Sequence, residues 1–111
     1  TYNFAQPAFG SVTQFLKVAQ ALENTGVMAY DGAIHLLNGT PTTLTGLNDL
    51  LTAGATIATV EARHASYLNL INGDVPFPDP FDTPKLPSEI CKIAGQFIIS
   101  CPYSLSTYCM P

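Results

Sequence analysis

Charge is scarce in this 111-residue sequence: Asp, Glu, Lys and Arg together make up 11% of it, and the net charge is −4. An average soluble protein carries about 25% charged residues. With only four Lys and Arg residues, the chain has no cationic surface that could neutralise phosphates, so we do not expect nucleic acid as a partner. We therefore expect a surface that either binds few ligands or is largely covered by a protein partner.

Long apolar runs are absent as well. A membrane-spanning helix needs about 18 or more consecutive apolar residues, and polar residues interrupt every apolar stretch here, so we expect no membrane span. The chain starts at Thr1 with no basic-then-apolar leader. We therefore expect that processing or incomplete coverage produced this N-terminus and that the gene product is longer. The length allows one domain, residues 1–111, with one core.

Cysteine is restricted to the last fifth of the chain, at Cys91, Cys101 and Cys109. No two of them have the Cys-x-x-Cys spacing of a zinc or redox site. We expect one disulfide that staples the tail, either Cys91–Cys101 or Cys101–Cys109, and one remaining cysteine that is free or bonds to another chain. The triplet "NGT" that starts at Asn38 fits the N-glycosylation pattern. Both features favour a secreted, extracellular protein with a glycan on Asn38.

Apolar residues recur at spacings of three and four over two long stretches, which predicts two amphipathic helices. We expect the first helix over residues 11–37 and the second over residues 45–72. The segment "NGTPTT" at residues 38–43 separates them, because Asn-Gly favours a left-handed backbone and proline ends a helix. Two helices of similar length joined by a short turn pack antiparallel. The sequence therefore predicts an all-α fold built on a long helical hairpin.

A proline-rich segment, "VPFPDPFDTPKLP" at residues 75–87, follows the second helix. Its five prolines exclude a helix or a central strand. We predict an extended strap that lies along the surface of the protein, with Phe77 and Phe81 as its anchors. We expect a short helix over residues 88–99 to come next, with Ser88 at its N-cap.

The segment "TVEARHASYL" at residues 59–68 places Glu61 and His64 on the apolar stripe of the second helix. Side chains three residues apart on a helix project to nearly the same point. Glu23 interrupts the apolar stripe of the first helix in the same way, and no Lys or Arg shares that stripe. Because an unpaired buried carboxylate is costly, such groups need a cation. We predict that Glu23, Glu61 and His64 are metal ligands.

A glutamate opposite a Glu-x-x-His pair is half of the ligand set of the di-metal carboxylate centres found in helical bundles. Carboxylate oxygens suit iron or manganese, and an imidazole fixes the geometry of such a site. Tyr30, two turns past Glu23, is our candidate hydrogen-bond donor beside the ligands, or else a core residue. The alternative interpretation is that the three polar residues form a buried hydrogen-bonded network that holds the helices in register without a metal.

Several segments resemble one protein family. The stretches "ALENTGVMAYDGAI", "TAGATIATVEARHASYL", "NGDVPFPDPFD" and "PSEI" are similar to the C-terminal half of the secreted ferritin-like domain of plant desiccation-related proteins and fungal stress and sexual-development proteins. The resemblance covers roughly residues 10–100, and "VEARHA" followed by the proline-rich strap is its most specific part.

The resemblance implies a ferritin-like four-helix bundle, of which this chain supplies one half. Family members carry an N-terminal pair of helices that supplies the other half of any metal site, and this sequence lacks that pair. A hairpin alone leaves its apolar stripe exposed. We therefore expect completion by a second copy, as a homo-oligomer, or by a separate N-terminal fragment of the same precursor.

Two hypotheses for the function follow. The first is a secreted stress- or desiccation-associated protein with a structural or assembly role, which suits the low charge, the exposed stripe and the surplus cysteine. The alternative is an iron- or manganese-dependent oxidoreductase or metal-handling protein that reacts with O2 or peroxide. The two hypotheses differ in whether the chain is an enzyme. The sequence leaves this question open.

Overall fold

The computed structural model describes residues 3–4, 9–37 and 49–100, with the backbone alone for residues 3–4. Its elements follow in the order β1 (Asn3–Phe4), α1 (Val12–Leu37), α2 (Leu50–Ile71), α3 (Pro87–Ala94), one turn of 3-10 helix (Gly95–Phe97) and β2 (Ile98–Ser100). Helices dominate the described ranges, as predicted. Within these ranges, no helix combines the length and the apolar character needed to cross a membrane.

Helices α1 and α2 pack against each other along their length and form the predicted hairpin. Small residues bring them close: Gly54, Ala58 and Ala65 are all buried on α2. A Cβ added to Gly54 would lie 2.9 Å from Cδ1 of Leu37, so a side chain there would have to push the end of Leu37 aside. Val27 is the buried apolar residue of α1. The core of the described chain is thus a narrow seam between two helices.

Polar side chains tie the two helices together at one end of the seam. Nε2 of Gln20 donates to Oδ1 of Asn69 at 2.9 Å and to Oδ2 of Asp74 at 2.6 Å. Nδ2 of Asn24 donates to the same oxygen of Asn69 at 2.9 Å, and Nδ2 of Asn72 donates to Oε1 of Gln20 at 2.8 Å. Because a slip of one turn would break all of these directional bonds, the network fixes the register of the hairpin.

Helix α2 begins at Leu50, whereas the sequence pattern placed its start at residue 45. Asp49 has an extended backbone (φ −72°, ψ 162°), and its side chain accepts a hydrogen bond from the backbone nitrogen of Thr52 at 2.6 Å. An N-cap aspartate of this kind satisfies a backbone donor that the first turn of a helix leaves free. Residues 38–48, which include the predicted turn, lie outside the described residues.

The proline-rich strap runs without helix or strand from α2 to α3. The backbone nitrogen of Lys85 donates to the carbonyl of Met28 at 3.0 Å. The carbonyl of Lys85 lies against Gly32, where a Cβ would not fit. Phe77 and Phe81 do not act as the predicted anchors, since they are 78% and 85% exposed. The strap docks on α1 through its backbone instead.

Helix α3 is shorter than the sequence suggested. It spans Pro87–Ala94, whereas the prediction extended one helix over residues 88–99. Its first turn is closed by Glu89, whose Oε2 accepts a hydrogen bond from the backbone nitrogen of Leu86 at 2.9 Å. The N-cap is therefore Leu86, two residues before the predicted Ser88.

The two strands form an antiparallel ribbon that the sequence did not predict. Asn3 pairs with Ser100, and Phe4 pairs with Ile98. A ribbon of so few residues has no alternating pattern long enough to be recognised. It adds a small β element to the predicted all-α fold and brings the start of the chain to the end of the 3-10 turn.

Candidate metal centre

Glu23, Glu61 and His64 meet between α1 and α2. One ligand atom of each residue, a carboxylate oxygen or an imidazole nitrogen, lies within 4.8 Å of those of the other two. Nδ1 of His64 is 3.1 Å from Oε2 of Glu23. The structure therefore brings together all three residues that the sequence singled out as ligands.

The position of the cluster follows from the hairpin. Glu61 and His64 are one helical turn apart on α2, so their side chains leave the helix on neighbouring parts of its surface. Glu23 lies near the middle of α1, one turn after Gln20 of the polar network. Because that network fixes how α1 and α2 align, it also sets which residue of α1 faces the Glu-x-x-His pair.

The two carboxylates of the cluster repel each other in the absence of a cation. Hydrogen bonding to Glu23, followed by burial, raises the pKa of Glu61, while His64 acts in the opposite direction. In the described part of the chain, neither glutamate forms an ion pair with a Lys or Arg side chain. A proton shared between the carboxylates relieves their repulsion, and a divalent cation bound at the same place would do so more completely.

Gly26 lies against the carboxylate of Glu61, and sequence reasoning missed it. A Cβ added there would lie 3.0 Å from Oε2 of Glu61. The absence of a side chain at Gly26 therefore gives the carboxylate of Glu61 its space against α1. The sequence does contain a signal for it, since Gly26 lies in the interior of a helix, three residues after Glu23. Glycine at such a position lowers the stability of a helix by about 1 kcal/mol relative to alanine.

The cluster is less buried than the apolar stripes suggested. The side chain of Glu23 is 29% exposed and that of His64 is 54% exposed, while Glu61 is half-buried. The three residues are thus only partly buried within this hairpin. The exposure of His64 shows that the site opens to one side.

That side of the hairpin is largely apolar, and we call it the open face. It consists of Phe15, Leu22, Ile57, Val60, His64 and Ile71, all of them exposed. On α2 these residues are spaced by three, four and seven positions, which places them on one side of the helix. On α1, Leu22 is one turn before Gly26, which lies against the carboxylate of Glu61. The open face therefore surrounds the site.

The remaining predicted residues are placed as follows. Tyr30 is half-buried on α1, seven residues after Glu23, and its role beside the ligands stays a prediction. Cys91 is half-buried on α3, whereas Cys101 lies outside the described residues, as does Asn38. The disulfide and the glycan therefore stay predictions.

The residues present fit a metal ion. Two carboxylates and an imidazole form a donor set that suits iron or manganese. Atoms bonded to opposite sides of one ion lie about 4.0 to 4.4 Å apart, twice a bond of about 2.0 to 2.2 Å. Ligand atoms that all lie within 4.8 Å of one another therefore need only small side-chain adjustments. Three ligands alone would leave the coordination of such an ion incomplete.

An antiparallel pair of helices with a glutamate facing a Glu-x-x-His is the half-unit of carboxylate metal proteins built on helical bundles. The comparison with known families agrees with this class. The ferritin-like domain matches residues 1–74, a range that includes α1, α2 and all three candidate ligands. The match covers more than half of the chain, so the chain belongs to the ferritin-like domain family. No curated protein matches it.

The family match ends where the strap begins. It does not distinguish the narrower group of plant desiccation-related and fungal stress and sexual-development proteins. Membership of that group therefore stays a prediction, based on the resemblance of the sequence.

Proposed function

We propose that this chain binds iron or manganese through Glu23, Glu61 and His64, as one half of a di-metal carboxylate centre. The observation that carries the proposal is the meeting of the three ligand atoms within 4.8 Å of one another. Membership of the ferritin-like family supports it, because bundles of this kind build di-iron and di-manganese sites from the same residue types.

In this proposal, the three residues bind the metal in different ways. Glu61 has the raised pKa and the space beside Gly26, so it is our candidate for a ligand that bridges or chelates. Glu23 and His64 are terminal ligands, and the 3.1 Å contact between them orients the imidazole. Tyr30 is the candidate hydrogen-bond donor. The bound metal would supply one-electron redox chemistry towards O2 or peroxide.

Equilibrium dialysis against Mn(II), followed by metal analysis, tests the proposal. We expect Glu61→Gln and His64→Ala each to weaken binding at least about tenfold, because each removes a ligand of a charged or imidazole type that the metal prefers. The matched control is His35→Ala, which removes the other histidine, an exposed residue of α1 outside the cluster. Equal binding by the two histidine variants, or no binding by the wild type, would contradict the proposal.

An assembly role without a metal is the second candidate, and the exposed apolar residues of the open face favour it. In this case the cluster acts as a hydrogen-bonded link between the helices of a secreted, stress- or desiccation-associated protein. The melting temperature separates the two candidates, since a ligand that binds only the folded state stabilises it. A rise in melting temperature with Mn(II) favours the metal site, and no change with either Mn(II) or a chelator favours the assembly role.

Secretion is part of the second proposal and has its own test. A secreted chain should carry a glycan at Asn38 and a disulfide between Cys91 and Cys101. Mass spectrometry of the protein from its native source, before and after removal of N-linked glycans and reduction, measures both. Thr40→Ala, which destroys the glycan acceptor pattern, should abolish the mass difference caused by the glycan.

A further inference from the structure

We propose that the groove between the strap and α2 binds an organic cation, namely an amine or a quaternary ammonium compound with an apolar body. The groove has a volume of about 690 Å³, within the range of about 300 to 1,000 Å³ that is typical of sites for small molecules. Glu23, Glu61 and His64 are not among its lining residues, so the inference does not depend on the proposed metal binding.

The groove has a floor and two walls. Val27 and Ala65, which are buried in the seam between α1 and α2, form the floor. Tyr67 and Leu70 of α2 lie on one wall, and residues 76–83 of the strap form the other. A ligand in the groove would therefore contact both helices and the strap.

The strap wall is held at both ends. Just before the strap, the backbone nitrogen of Asp74 donates to the carbonyl of Asn69 at 2.9 Å. Near its other end, the backbone nitrogen of Lys85 donates to the carbonyl of Met28 at 3.0 Å. Four prolines lie between these two points, and each restricts the backbone. A wall that is already ordered loses little conformational freedom when a ligand binds, which favours affinity.

Aromatic side chains are exposed around the groove. Phe77 and Phe81 of the strap and Tyr67 of α2 all line it, and even Tyr67 is 64% exposed. By comparison, Ile57 and Val60 of the open face are less than half as exposed as Phe81. Exposed apolar side chains clustered in this way mark a binding surface. Because the face of an aromatic ring attracts a cation, the three rings favour a ligand that is both apolar and positively charged.

The charges beside the groove favour a cation as well. Asp79 and Asp82 line the groove on the strap, and Arg63 lines it on α2. Within the described ranges, neither aspartate forms an ion pair with a Lys or Arg side chain. Burial, together with the Asp82 carboxylate, raises the pKa of Asp31, so a third carboxylate lies close to the strap wall. Three carboxylates outweigh one guanidinium, and a cationic ligand would offset their repulsion.

A metal ion fits this groove less well than an organic cation does. Among the described residues, the one group of three candidate metal ligands that lie close together is Glu23, Glu61 and His64. Asp79 and Asp82 do not belong to such a group. The apolar floor and the aromatic rings also offer a metal ion no donor atoms. They suit a ligand whose charge is attached to an apolar body.

Three probes with the same apolar body test the charge preference on the full chain. Phenylbutylammonium is a cation, phenylbutanol is neutral and phenylpentanoate is an anion. An NMR titration of the backbone amides at pH 7 gives the dissociation constant of each. We expect the cation to bind at least about tenfold more tightly than the anion, with the alcohol in between, because the strap wall attracts one charge and repels the other. Equal affinities, or no saturable binding of the cation, would overturn the proposal.

Matched variants locate the site. Phe81→Ala removes a ring from the strap wall, whereas Phe15→Ala removes an exposed ring of α1 that does not line the groove. We expect Phe81→Ala to weaken the binding of phenylbutylammonium at least about threefold, and Phe15→Ala to leave it unchanged. Arg63→Gln should tighten the binding of the cation, because it removes a like charge from the opposite wall. Circular dichroism checks that all three variants are folded. Equal affinities of the two phenylalanine variants would place the probe elsewhere and overturn the proposal.

A second copy of the chain is the other candidate occupant of the groove. Light scattering after size exclusion, without any probe, should give the same molar mass for the wild type and for Phe81→Ala. A larger mass for the wild type alone would mean that the chain itself fills the groove, and it would overturn the proposal.

Discussion

Nδ1 of His64 lies 3.1 Å from Oε2 of Glu23, although 41 positions separate the two residues in the sequence. This contact requires a particular alignment of α1 and α2. A slip of one helical turn would move the residues apart by about 5.4 Å. The geometry of the site is therefore a property of the whole hairpin, and the predictions below test the residues that set it.

Gly26→Ala should weaken metal binding without destabilising the fold. The new methyl group would lie 3.0 Å from Oε2 of Glu61, and the end of that side chain can move away more easily than the helix can. Alanine in a helix interior is favoured over glycine by about 1 kcal/mol. We expect a several-fold loss of Mn(II) affinity with an unchanged or higher melting temperature. Gly95→Ala, where the added Cβ meets nothing within 4 Å, should leave Mn(II) binding unchanged.

Asn69→Ala should destabilise the hairpin by about 1 to 3 kcal/mol, because the part-buried amides of Gln20 and Asn24 each lose one of their two acceptors. Both Gln20 and Asn24 donate to Oδ1 of Asn69, which is only 7% exposed. Urea unfolding followed by circular dichroism measures the free energy of unfolding. Thr56→Ala, at an exposed position of the same helix, is the control. A similar loss in both variants would mean that the polar network does not hold the register.

Asp49 should make the stability of α2 depend on pH below about 4. The backbone N–H of Thr52 donates to its carboxylate and holds the pKa of Asp49 below its usual range. A lowered pKa in the folded state means that the ionised cap stabilises the fold above the unfolded pKa of about 3.9. That stability is lost as the pH falls through the folded pKa.

The cap is tested with two substitutions of Asp49. Asp49→Ala should lower the melting temperature at pH 7, and the difference from the wild type should shrink as the pH approaches 3. Asp49→Asn keeps a cap without a charge, so it should retain most of the stability and lose this part of the pH dependence. Thermal unfolding across pH 3 to 7 gives all three curves. Parallel curves for wild type and Asp49→Ala would rule out the ionised cap.

Asp82→Asn should raise the melting temperature at pH 7. Burial, together with the nearby Asp82 carboxylate, raises the pKa of Asp31. A raised pKa in the folded state means that ionised Asp31 opposes folding above that pKa and has no such effect below its unfolded value. The gain from Asp82→Asn should therefore vanish below about pH 4. Asp79→Asn, which removes a neighbouring carboxylate of the strap, should show a smaller gain in the same thermal measurement.

The sequence predicted the hairpin and the meeting of Glu23, Glu61 and His64 because both depend on local periodicity. Gly54, Ala58 and Ala65 recur at spacings of four and seven, so the stripe of α2 that packs against α1 could be recognised before the structure. The same periodicity misplaced the start of α2, because apolar residues from Leu44 to Leu47 continue the pattern beyond the cap at Asp49. A helix cap is recognised from a single residue, whereas a helical repeat is recognised from many. The cap therefore gives the weaker signal in the sequence.

Features that depend on distant parts of the chain were not predictable. The pairing of β1 with β2 joins residues about a hundred positions apart. The docking of the strap depends on the backbone of Lys85 and on the lack of a side chain at Gly32. No pattern in the sequence predicts that these two residues meet. The aromatic residues Phe77 and Phe81 suggested anchors, but their type alone does not determine what they contact. The exposure of His64 likewise depends on which faces of the hairpin are covered.

The docking of the strap on α1 also limits how these chains can associate. A hairpin with two uncovered faces could bind one neighbour on each side and grow into a filament. Here the backbone of Lys85 already lies against one side. A neighbour on that side would therefore meet the strap, with its exposed Phe77 and Phe81, instead of the bare surface of α1.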